Sequence, residues 1–173
     1  YVKEEVASPG YKLDETVFEV DLRNYESEEP YLIESVEPMD TPLIRLKKTS
    51  SFQVQDDPNS IYSLGGARYQ LYADKGCTVK AKAFSVNADG EIIGYTDAVL
   101  VTEEDGDSNI LYVGRSIYYV KEEQASPGFN LDTTIYLVDL RDYESDEPYL
   151  VKSTEPMDTP RLTLKKTSSI SSM

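Results

Sequence analysis

The chain has 173 residues, of which 39% are hydrophobic and 28% charged, enough apolar side chains for one packed core. Asp and Glu number 32 against 17 Lys and Arg, a net charge of -15, which argues against a nucleic-acid or anionic-membrane surface because both need a basic face. There is no His, the commonest general base and zinc ligand, and only one Cys, so internal disulfides and cysteine-rich metal sites are excluded, and no apolar run approaches the ~18 residues of a membrane span.

Taken in chain order, the first feature is a repeat. Tyr1 to Ser50 returns at Tyr119 to Ser168 with a constant offset of 118 and 35 of 50 positions identical. YVKEEVASPGYKLD comes back as YVKEEQASPGFNLD, and EPMDTP and LKKTS recur. The exchanges preserve size and apolarity: Tyr11 against Phe129, Val17 against Ile135, Ile33 against Val151. A period this long exceeds a solenoid unit of ~20–50 residues and matches a self-contained domain. The expected organisation is a tandem repeat with cuts near EPMDTP. Residues 1–38 are the C-terminal part of a preceding repeat, 39–157 one complete repeat, and 158–173 the first strand of a following one. The alternative is a duplication within a single domain.

Alternation with period two dominates the rest. Ile44, Leu46 and Lys48 share one face of a strand, with Arg45 and Lys47 on the other, so a lysine stands in register with apolar neighbours. The second copy repeats this at Leu162, Leu164 and Lys166. Ala67, Tyr69, Leu71 and Ala73 alternate with Arg68, Gln70 and Tyr72. Cys77 reads as a small buried hydrophobe at a strand start rather than a reactive thiol or thioester, since no His exists to activate it. Val79 to Val86, the turn Asn87-Ala88-Asp89-Gly90 and Glu91 to Tyr95 predict a hairpin. Thr102 to Ser108 predicts an exposed loop. Its carboxylates Glu103, Glu104, Asp105 and Asp107 lack the spacing of a calcium loop and read as a solvated charge run, so no metal and no cofactor is expected. Ile110 to Val113 and Ile117 to Glu122 are further strands. In the latter Tyr118, Val120 and Glu122 share a face opposite Tyr119, Lys121 and Glu123. Ser126-Pro127-Gly128 is a turn, and Thr134 to Leu140 and Tyr149 to Thr154 complete the set. Seven or more short strands with Pro/Gly turns predict an all-β protein, an antiparallel β-sandwich.

LKK at Leu46–Lys48, SLGGARYQLY at Ser63–Tyr72, NADG at Asn87–Gly90 and YYVKEEQASPGFNLD at Tyr118–Asp132 together resemble the B-type repeat of collagen-binding adhesins. These Cna B-type modules are also known as SpaA-like pilin domains. The resemblance implies a prealbumin-like, Ig-like sandwich serving as a stalk or spacer repeat of a Gram-positive surface adhesin or pilus-like fibre. It implies an extracellular, cell wall-associated location and no enzymatic activity. The implied partners are neighbouring repeats or identical subunits. The sequence shows neither a signal peptide nor a sorting signal, as expected of an internal excerpt, so export rests on the resemblance. The alternatives are a ligand-binding adhesin module recognising a host glycan or matrix protein, and a carbohydrate-binding accessory domain. Near-identical repetition favours the spacer, because a binding tip usually occurs once.

The resemblance also implies chemistry. Many such domains join a lysine of the first strand to an Asn or Asp of the last through an isopeptide bond, assisted by a buried acid. Lys48 matches the lysine and Glu122 the acid. The acceptor departs from the pattern: Glu155 stands there, with Asp139 as a second candidate. In the partial repeats the equivalents are Glu4, Glu37 and Lys166. The alternative is a buried Lys48–Glu122 ion pair, or a Lys48 ammonium that snorkels to solvent. Matching partial repeats at the two ends also predict head-to-tail filaments by strand complementation. A monodisperse monomer by light scattering at high concentration would exclude them.

Overall fold

Alternating side chains put one face of each strand in the core, and two such sheets cover each other's inner faces. The computed structural model describes residues 1–8, 11–36, 39–50, 62–88, 92–156, 158 and 162–167. In chain order its strands are β1 (Val2–Lys3), β2 (Val17–Phe18), β3 (Leu43–Ser50), β4 (Arg68–Tyr72), β5 (Lys82–Val86), β6 (Ile92–Asp97), β7 (Val99–Val101), β8 (Leu111–Tyr112), β9 (Ile117–Gln124), β10 (Ile135–Asp139) and β11 (Tyr149–Glu155). Among the described residues there is no helix long and apolar enough to cross a membrane.

One sheet has the order β10-β9-β4-β7 and the other β11-β3-β8-β5-β6. Ile44 and Leu46 of β3, Tyr69 and Leu71 of β4, Val120 of β9, Val138 of β10 and Val151 of β11 meet in one core. Each buried aliphatic side chain there contributes roughly 1.5–3 kcal/mol. The sandwich is antiparallel with one exception. β3 and β11, the first and last strands of the domain, run parallel in the register Tyr149↔Ile44 through Glu155↔Ser50.

The described strands follow the predicted alternation on β3 and β9 and depart from the sequence reading in four places. On β4 the supposed outer residues Gln70 and Tyr72 are also buried, while Ala73 is exposed. This strand lies between β7 and β9, and Gln70 and Tyr72 turn their polar ends to partners there: Ala98 O at 3.1 Å and Glu123 Oε1 at 2.6 Å. β7 itself is an addition to the predicted strands; its three residues are too few to show a period. Cys77 does not begin a strand. It is half-buried in a turn with φ 52°, held because Asp74 Oδ1 accepts the amides of Thr78 and Val79. Burial pushes its thiol pKa up, the wrong direction for a reactive thiol. Finally, the Thr102–Ser108 loop is exposed only in part. Glu103 to Asp105 face solvent, but Gly106 is buried and docks on β3, accepting the Lys48 amide at 2.8 Å, and Asp107 pairs with Lys47 at 2.9 Å. The β5–β6 hairpin forms, with Val86 opposite Ile92; Asp89 and Gly90 lie outside the described residues.

Several local contacts of the described residues between 1 and 36 repeat those of 119–154. β1 and β2 pair as Val2↔Phe18 and Lys3↔Val17, which a shift of 118 converts into the β9–β10 pairs Val120↔Tyr136 and Lys121↔Ile135. Tyr25 and Tyr31 form an edge contact at 5.3 Å, as Tyr143 and Tyr149 do at 5.4 Å. What differs is burial. Leu22 is 55% exposed where Leu140 is 0%, because no opposing sheet covers it among the described residues. The described residues from Met39 to Pro42 are anchored at several points. Tyr11 bridges Met39, Arg115 grips Asp40 through Nε and Nη2 and donates to Tyr143 O at 2.6 Å, and the Val113 amide donates to Pro42 O at 3.0 Å.

Candidate cross-linking site

The site forms where three strands aim polar side chains into an apolar core. β3 brings Lys48, β9 brings Glu122 and β11 brings Glu155, each on the same face as buried apolar neighbours. The side chains of all three are 0% exposed. Snorkelling of the Lys48 ammonium is therefore ruled out. Lys48 Nζ lies 3.0 Å from Glu155 Oε1 and 3.3 Å from Glu122 Oε1, and donates to Ser126 Oγ at 2.7 Å. The Phe129 ring closes one side, its centroid 5.6 Å from the nitrogen. Burying a charge costs several kcal/mol per ion, so such a group persists only when it is paired and hydrogen-bonded.

Glu122 is held from behind. Its Oε2 accepts the Asp132 amide at 2.6 Å. Burial drives its carboxyl above the ordinary carboxylate range, against the opposing pull of that amide and of Lys48. Asp132 is itself buried and caps the turn into β10, accepting Thr134 N at 2.9 Å and Tyr136 Oη at 2.5 Å. Burial raises its pKa, but these hydrogen bonds outweigh burial and hold it low. Gly128 lets the preceding turn close: φ is 83°, and a Cβ there would lie 2.4 Å from the Tyr62 ring.

Glu155 has an asymmetric environment. Oε1 faces Lys48 and accepts the Tyr69 hydroxyl at 2.6 Å, whereas Oε2 is buried and has no hydrogen-bond partner among the described residues. Buried carboxylate oxygens are rarely left so, and an orphan of this kind calls for a chemical explanation. Sequence alternation marks Tyr69 only as an inward-facing core residue.

The remaining sequence candidates are not brought here. Asp139 sits at the surface, its carboxyl 2.6 Å from Arg141 and its pKa held down to about 2 by that guanidinium. Glu4 repeats the local geometry of Glu122, accepting the Asp14 amide at 2.6 Å, but no lysine reaches it among the described residues. Lys166 is exposed and outside any described strand, and Glu37 lies outside the described residues.

No protein-family model and no curated protein matches the sequence. Solved structures do. The Bacillus anthracis TIE protein is 17% identical with a TM-score of 0.54, over 90% of this chain and 24% of that one. GBS52, the minor pilin of Streptococcus agalactiae, is 17% identical with a TM-score of 0.46, over 75% of this chain and 51% of that one. The pilus 2b backbone protein of group B streptococcus is 22% identical with a TM-score of 0.43, over 88% and 54%. This chain thus spans about a quarter to about half of the chains it matches. At these identities the likeness is one of fold: the described strands form an all-β sandwich like that of the TIE protein.

Proposed function

We propose that the chain is a non-enzymatic, load-bearing spacer from the stalk of a Gram-positive surface adhesin or pilus-like fibre, hardened by an isopeptide bond between Lys48 and Glu155. The observation that carries this reading is a buried amine 3.0 Å from a buried carboxyl, with a second carboxyl alongside, on the first and last strands of one domain.

The reaction is a condensation. Lys48, as the free amine, bonds through Nζ to Glu155 Cδ; the Cδ–Oε2 bond breaks, and Oε2 leaves as water with two protons from the former ammonium. Glu122 carries those protons and ends as it began, a task suited to a carboxyl whose proton affinity burial has raised. Condensation in water is unfavourable, but fixing the two groups in contact in a dry site makes it unimolecular. It also removes the oxygen that has no partner among the described residues.

The mechanical consequence follows from the parallel pairing. Tension enters at the N-terminal end of β3 and leaves at the C-terminal end of β11, so the two strands are pulled in shear along their whole register. A bond from Lys48 to Glu155 carries that load directly across and shields everything between them. The anchoring of Met39, Asp40 and Pro42 at the entry to β3 suits the same role. In this reading residues 1–38, 39–157 and 158–173 belong to three successive repeats, and neighbouring repeats or subunits are the partners. The segment 162–167, whose Leu162 and Leu164 are 99% and 89% exposed, repeats the sequence of β3 and is the strand such a partner would take up.

The test is the intact mass of the chain. We expect it to be one water below the mass calculated from the sequence, and the Lys48→Ala variant to show no deficit. Full mass in the parent chain would overturn the bond. The rival reading, recognition of a host glycan or matrix protein, is favoured by one observation: Phe84, Tyr95 and Tyr112 line up across β6, β5 and β8, with Tyr95 71% exposed. Glycan and matrix-protein arrays that return no ligand remove it.

A further inference from the structure

Tyr69 sits at the centre of β4 with 0% exposure. Its hydroxyl is 2.6 Å from Glu155 Oε1 and 2.9 Å from Ser153 Oγ. Ser153, on β11, in turn reaches Asp132 Oδ2 at 3.2 Å, and the Asp132 amide donates to Glu122 Oε2. A continuous polar chain therefore runs from the acceptor carboxyl through Tyr69, Ser153 and Asp132 to the assisting carboxyl. Every residue on it is buried. A tyrosine that served only to fill the core would not need a buried hydroxyl, which is costly to bury without partners.

We propose that Tyr69 is a catalytic residue of the cross-linking reaction, holding the Glu155 carboxyl for attack and stabilising the oxyanion that forms on Oε1. This rests on reading the site as a cross-linking site. When Lys48 Nζ adds to Cδ, the π electrons of the carbonyl move onto Oε1, and the Tyr69 hydroxyl already donates to that atom. The departing oxygen is then Oε2, which no group holds among the described residues. Tyr69 therefore also decides which oxygen leaves: the anchored one stays as the amide carbonyl, and the unanchored one collects the protons and departs as water. No other reactant is required. The arrangement is that of a preorganised oxyanion donor in a water-excluded pocket, where removing one such donor slows reaction by roughly 10²–10³-fold.

The experiment is a pulse-chase of the whole chain, quenched in denaturant at intervals, with linked and unlinked forms separated by intact mass. Tyr69→Phe keeps the ring and its packing and removes only the hydroxyl. We expect the half-time of water loss to lengthen about 100-fold in Tyr69→Phe, with native amide-exchange protection retained. A half-time equal to the parent's overturns the assignment while leaving the cross-link intact. A parent chain that never loses water overturns the cross-linking reading, and Tyr69 with it. Should Tyr69→Phe fail to acquire native protection, Ser153→Ala decides, because it removes the neighbour that aims the hydroxyl without touching Lys48 or either glutamate. Slower bond formation in Ser153→Ala supports the proposal, and parent-like kinetics overturn it.

Discussion

Lys48→Ala is expected to lower the stability of the chain by about 3–5 kcal/mol, because it removes the tie between the first and last strands of the sandwich and leaves two buried carboxyls without a partner. Before the bond forms, the lysine nitrogen lies between Glu122 and Glu155, whose side chains are both fully buried. Removing it leaves two carboxyls facing each other and abolishes the cross-link. The loss is pH-dependent, with a definite sign. Burial already raises the folded-state pKa of Glu122, and Lys48 is among the groups opposing that rise. In the variant the folded chain therefore binds more protons than the unfolded chain above the ordinary carboxylate pKa, up to the raised folded value. Stability must fall as pH rises through that window. Urea midpoints of Lys48→Ala should be higher at about pH 5 than at about pH 8. A midpoint that is flat, or higher at the alkaline end, would show that the two carboxyls do not share this pocket.

Gly106→Ala is expected to cost about 3 kcal/mol although it adds one methyl group to a loop. Gly106 has φ 86°, where a side chain is strained, and a Cβ there would lie 2.3 Å from the Lys48 carbonyl oxygen. Neither neighbour can give way easily: the oxygen belongs to the backbone of β3, and the Lys48 amide is already bonded to Gly106 O at 2.8 Å. Relief would require β3 to shift at the residue that carries the amine. The variant should thus unfold at lower temperature and also form the cross-link more slowly. A melting temperature within a degree or two of the parent's would contradict so close a docking of the loop, since ~1 kcal/mol moves a domain of this size by roughly 2–8 °C.

How far these features can be read from the sequence depends on how local their causes are. Alternation along β3 and β9 is a property of consecutive residues, so the residue pattern alone puts Lys48 with Ile44 and Leu46, and Glu122 with Tyr118 and Val120. The turn at Gly128 is similarly local. Cys77 escapes such a reading because its conformation is set by the Asp74 side chain reaching forward, which the residue pattern does not reveal. The loop after Thr102 reads as solvent-bound because its carboxylates dominate the composition; its docking depends on one glycine, and on a strand more than fifty residues away.

Which side chains of β3 and β9 face inward, and that the segment recurs, are both written along the chain, because strand geometry alternates side chains one by one and self-similarity needs no folding to be visible. Which carboxyl meets Lys48 is settled only in three dimensions. Glu155 and Asp139 are both eligible by sequence, and the parallel register of β11 on β3 sets Ser153 opposite Lys48 and Glu155 one inward step beyond, while β10 leaves Asp139 at the surface with Arg141. The Tyr69 hydroxyl likewise gains its meaning from a strand of the opposite sheet. Strand register between distant segments is fixed by the packing of two whole faces, and no stretch of residues contains it.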